Sequence, residues 1–143
     1  MGLNDILTKL FGNKSQRDLK EINPYVDKIK IAYETIKTLS NDELRSKTIE
    51  IRQKIQDYVA AEKNKIAELK AGVEALEIDK REDVWAEVDK LEKEVTTKYE
   101  EILNEVLPEA FSIVKDTARR LTENEEIEVT ATEFDRELAE KHD

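Results

Sequence analysis

Apolar residues recur every three or four positions along almost the whole chain, the spacing of one face of a helix. Leu3, Ile6, Leu7, Leu10 and Phe11 open with such a stripe, and Gly12-Asn13 stops it, so residues 1–12 are expected to form a short amphipathic helix. Ser15 can cap a second helical stretch. Asn23-Pro24 should interrupt that stretch and restart it, since Asn caps well and proline at a first helical position gives up no needed amide. Ile22, Val26, Ile29, Tyr33 and Ile36 then share a face. Ser40-Asn41-Asp42-Glu43 is a capping box. From it a long seam runs through Leu44, Ile51, Ile55, Val59, Ile66, Leu69, Val73 and Leu76, with Glu62 filling one seam position. Asp79-Lys80-Arg81-Glu82 reads as a polar turn with Asp79 as its cap, and a second seam follows through Val84, Val88, Leu91, Val95, Tyr99, Ile102 and Val106. Two heptad-patterned helices joined by a short turn must lie antiparallel. The expected fold is therefore all-α: a long, coiled-coil-like antiparallel hairpin with shorter N-terminal and C-terminal helices.

Pro108 is expected to break or bend the second arm, after which Phe111, Val114, Ala118 and Leu121 form a new stripe. Residues 122–126 are a polar link. Ile127-Glu128-Val129-Thr130 alternates and can form a short strand, and Thr130-Ala131-Thr132-Glu133 reads as a capping box opening a last short helix. Residues 106–120 are the densest apolar segment, and little sequence follows to cover them. Their apolar face is expected to seek a substitute partner, either the helix that starts at Ser40 or another copy of the chain.

Composition supports solvated helices over a thick core. Hydrophobic residues make up 38% of the 143 positions, below the usual ~45–50%, and 41% are charged. A net charge of -10 argues against sequence-independent binding of nucleic acid, which needs Lys and Arg to neutralise phosphates. The charge is uneven. Lys9, Lys14, Arg17 and Lys20 outnumber Asp5 and Asp18 in the first twenty residues, so a basic arm precedes an acidic body. An apolar face beside Lys9, Lys14 and Arg17 fits a helix lying on a membrane surface or a partner, with docking on its own domain as the plainer alternative. Without cysteine there is neither a disulfide framework nor a thiolate metal site. No apolar run approaches the ~20 residues that span a bilayer, and the N-terminus lacks a signal-peptide layout. The chain reads as cytosolic.

The residues offer little chemistry. His142 is the one histidine and sits beside the C-terminal residue. The three glycines are isolated, so there is no phosphate loop, and Glu-x-x-His is absent. Glu100-Glu101 and Glu123, Glu125 and Glu126 lack the turn spacing of a calcium loop and read as solvated. Trp85 reads as a packing residue at the hairpin tip, and Arg119-Arg120 as cations complementing a helix C-terminus. No catalytic, cofactor-binding or metal-ligating residue is expected.

Three blocks carry a family resemblance. They are Leu7-Thr8-Lys9-Leu10-Phe11-Gly12, then Leu39-Ser40-Asn41-Asp42-Glu43-Leu44-Arg45-Ser46-Lys47-Thr48, and Leu107-Pro108-Glu109-Ala110-Phe111-Ser112-Ile113-Val114-Lys115-Asp116-Thr117-Ala118-Arg119-Arg120. Together they resemble the extreme N-terminus of the SecA family of preprotein-export motor ATPases, whose members carry L-S-D-E-E-L-x-x-K-T and I/L-P-E-A-F-A-x-V-R-E-A-x-x-R stretches. The resemblance covers roughly half of the chain. It implies that residues 15–55 and 104–121 belong to the start of the first nucleotide-binding domain, that 56–103 are an inserted hairpin, and that 122–143 are truncated. It implies ATP and magnesium for the parent protein and none in this stretch. Implied partners are the SecYEG channel, acidic phospholipid, preprotein and a dimer mate, contacted through Leu3, Ile6, Leu7, Lys9, Leu10, Phe11, Lys14 and Arg17. The implied location is cytoplasmic, peripheral at the inner face of the bacterial plasma membrane. The alternative is a stand-alone coiled-coil adaptor or prefoldin-like binding module.

Overall fold

A computed structural model describes residues 14–142. The described chain is all-α: α1 (Lys14–Ile36), α2 (Asn41–Gly72), a 3-10 turn (Val73–Ala75), α3 (Ile78–Glu123) and α4 (Glu133–Glu140). It divides into two compact units, whose described residues are 41–107 and 14–40 with 108–142.

The first of these is an antiparallel hairpin of α2 with α3 up to Leu107. Its seam is the one the heptads predict. Leu44, Val59, Val73, Val88, Leu91, Ile102 and Val106 are buried, and Ile51, Ile55, Ile66, Leu69, Leu76, Val84, Val95 and Tyr99 are half-buried. Cross-arm pairs join early residues of one arm to late residues of the other. Lys54 meets Glu105 at 2.6 Å, Glu62 meets Lys98 at 2.6 Å, and Lys70 meets Glu92 at 2.7 Å. The exposed Lys54–Glu105 and Lys70–Glu92 pairs add little energy; Glu62–Lys98 is half-buried at a seam position, and burial of the seam drives the pairing. At the tip, Arg81 donates to the carbonyls of Leu76 (3.0 Å) and Glu74 (2.9 Å) and so ties the turn to the first turn of α3. Asp79 lies inside that first turn, not at its cap.

Further local expectations are corrected. α1 runs through Pro24 without restarting, and of the break or bend expected at Pro108 the break does not occur, since α3 is one helix through it. A helical proline removes one amide donor, which would have served Lys20 and Asn104 respectively. Both of those residues are exposed, so water can satisfy the carbonyl. Residues 127–130 form no strand, and none occurs among the described residues; an isolated strand has no ladder to join. α4 starts two residues later than expected. Thr132 is its cap, accepting from the Asp135 amide at 3.3 Å, while the Asp135 carboxylate accepts from the Thr132 amide at 2.8 Å.

Candidate functional site

In the second unit, Ser112, Asp116 and Arg120 lie four residues apart on α3, so one face carries all three. All three are buried, Ser112 and Asp116 completely. A buried charge persists only when paired and hydrogen-bonded, and these groups are. Asp116 Oδ1 accepts from Tyr33 Oη at 3.2 Å and Arg119 Nε at 3.0 Å. Its Oδ2 accepts from Arg120 Nε at 2.7 Å. Arg120 Nη2 also donates to the Leu39 carbonyl, just beyond α1. Ser112 Oγ lies 2.7 Å from the Pro108 carbonyl and 3.0 Å from that of Ile29, and can donate to either. The Lys115 ammonium stands 3.8 Å from the centre of the Tyr33 ring, a cation–π contact.

These contacts match Ile29 with Ser112, Tyr33 with Asp116 and Leu39 with Arg120, so α1 and this part of α3 run parallel. Ile36 and Ile113 complete the buried patch. Burial pushes the Asp116 carboxyl up, but hydrogen bonds from Arg119 and Arg120 outweigh it and hold the group below the ordinary carboxylate range. Arg119 is held charged by Asp116 and by Glu123, 2.6 Å away. The ion pairs lie within α3, and the cluster is locked to α1 and the turn after it by the Tyr33 hydroxyl and the Leu39 carbonyl.

The sequence reading placed Arg119-Arg120 at a helix end and missed Asp116, Ser112 and Tyr33 as their partners. The polar series 112, 116, 120 was the available signal. Its consequence is that the predicted stripe of Phe111, Val114, Ala118 and Leu121 faces outward and is exposed.

Of the predicted contact residues, Lys14 and Arg17 lie on the first turns of α1, exposed and three residues apart. Leu3, Ile6, Leu7, Lys9, Leu10 and Phe11 lie outside the described residues. The hairpin carries an open groove lined by Glu50, Lys54, Asp57, Tyr58, Ile102 and Glu105. There Tyr58 donates to Glu101 at 3.0 Å, which raises the phenol above its usual range. Among the described residues no cluster of His, Cys, Asp and Glu could hold a metal ion, and no helix is long and apolar enough to cross a membrane.

The SecA DEAD-like domain family matches residues 7–132. Similar proteins include the protein translocase subunit SecA of Parabacteroides distasonis, 63% identical over all of this chain and 13% of that protein. The subunit of the same name from Porphyromonas gingivalis is 59% identical over all of this chain and 13% of its own length. That of Flavobacterium psychrophilum is 48% identical over 96% of this chain and 12% of its own length. The chain thus spans about an eighth of the relatives it matches. No solved structure matches it.

Proposed function

The chain belongs to the SecA DEAD-like domain family, and from that premise we propose that it is a non-catalytic, N-terminal part of an ATP-driven protein-export motor. The match over residues 7–132 carries this reading and favours it over a stand-alone coiled-coil adaptor. In it, residues 15–55 and 104–121 are scaffold at the start of the first nucleotide-binding domain, and 56–103 are an inserted hairpin. ATP and magnesium belong to other parts of the parent protein. The Asp116 lock contributes by holding α1 in register with α3. This fixes the helix that carries the exposed Lys14 and Arg17. Residues 1–17 are the contact surface, toward anionic phospholipid, the SecYEG channel or a dimer mate, and the motor works peripherally at the inner membrane face.

A chimera tests the export role. Placed in the Porphyromonas gingivalis subunit instead of its aligned stretch, this chain should support export of a signal-bearing preprotein. A chimera of normal abundance that exports nothing would refute the proposal.

Vesicle binding tests the contact surface separately. Each Lys or Arg near an anionic surface contributes ~1 kcal/mol. Reversing two charges, Lys14→Glu with Arg17→Glu, should therefore weaken low-salt binding to phosphatidylserine vesicles by roughly 30-fold or more. Sedimentation with vesicles reads the loss, and unchanged binding would remove these residues from the contact.

A further inference from the structure

Two apolar surfaces of one compact unit face solvent. On α3, Phe111, Val114 and Leu121 are 58–68% exposed, and with Ala118 they step by three, four and three residues, the spacing of a packing seam. On α4, Phe134 and Leu138 are 68% and 45% exposed and one turn apart. We infer that the two are each other's partners: α4 is a strap that folds back, antiparallel, over the exposed stripe of α3.

The geometry allows it without strain. Nine residues, 124–132, separate the helices and can extend to roughly 30 Å. Packed helices need only ~8–10 Å between axes. In antiparallel register Phe134 lies over the small Ala118, Leu138 over Val114, and Ala131 near Leu121. Large residues then meet small ones, as interdigitating layers require. One flank agrees as well: Lys115 borders the stripe, while α4 carries Glu133, Asp135, Glu137 and Glu140 against Arg136. The same register sets Asp135 opposite Lys115. The capping box of Thr132 and Asp135 forms within α4 itself, so the strap is a ready-made helix before it docks. A second copy competing for the stripe must first displace α4. The inference rests on these surfaces alone, and stands or falls apart from the export role.

The absence of cysteine makes a cross-linking test clean. Thr117→Cys with Glu137→Cys places thiols on facing flanks of the docked register, both at exposed positions. Under mild oxidation at low micromolar concentration this pair should close an intramolecular disulfide at least ~10-fold faster than Thr117→Cys with Arg136→Cys, whose second thiol points away from the seam. Adding Phe134→Ser should bring the fast pair down to the control rate. Circular dichroism of each variant confirms that the helices are intact. Equal rates for the two pairs would overturn the strap. Disulfide-linked dimers in place of monomers would overturn it too and assign the stripe to a second copy.

Discussion

Asp116→Ala should destabilise its unit by about 3–5 kcal/mol, the cost of leaving a buried charge without its partner. The loss falls on three groups at once. Arg120 loses its carboxylate partner, Tyr33 loses its acceptor, and Arg119 loses one of its two carboxylates. Urea unfolding followed by helical circular dichroism reads the effect, since the single tryptophan, Trp85, belongs to the other unit. Removing both ends of the lock is expected to be gentler. Asp116→Leu with Arg120→Met exchanges a buried ion pair for apolar contacts of similar volume, which is often neutral or stabilising. A single Asp116→Ala variant no weaker than that double variant would show that the cluster around Asp116 does not hold α1 against α3. The lock also has a pH signature. The carboxyl of Asp116 sits below its ordinary value of 3.8 in the folded chain. Its contribution is therefore complete above that value and disappears as pH falls through the lower, folded one. The wild-type chain should lose stability more steeply than Asp116→Asn on acidification below 3.8.

The hairpin was legible because its core is apolar and periodic. Each seam residue from Leu44 to Leu76 and from Val84 to Val106 is buried or half-buried. The same rule misled at residues 111–121. Apolar patterning pointed to Phe111, Val114, Ala118 and Leu121, yet the buried face is Ser112, Ile113, Asp116 and Arg120. A window that scores charge as solvated cannot see that Asp116 and Arg120 satisfy one another four residues apart, or that Tyr33 and Leu39 arrive from a distant helix. The prolines failed as punctuation for a related reason. A proline costs a helix one hydrogen bond locally, a loss that both α1 and α3 absorb at carbonyls of exposed residues. At the candidate site, only Lys14 and Arg17 of the eight predicted contact residues fall among the described ones. The basic cluster was readable from sequence, whereas the lock that fixes α1 depends on contacts more than 80 residues apart.

If burial in the seam drives hairpin pairing, two isoleucine truncations of identical chemistry should behave very differently. Ile102 is 1% exposed, and Ile49 is 69% exposed. Ile102→Ala removes buried methyl groups and leaves a cavity between the arms, an expected loss of ~2–5 kcal/mol. Ile49→Ala removes the same atoms from a solvated face and should change stability by no more than about 0.5 kcal/mol. Here Trp85 belongs to the unit under test, so its fluorescence can follow urea unfolding directly. The ion pairs offer no rescue, because Lys54–Glu105, which lines the groove beside Ile102, is about half exposed on both sides and is screened by solvent. Raising salt should therefore leave the difference between the two variants intact. Equal losses at Ile102 and Ile49, or a difference that collapses in salt, would move the source of hairpin stability from the seam to the charged surface.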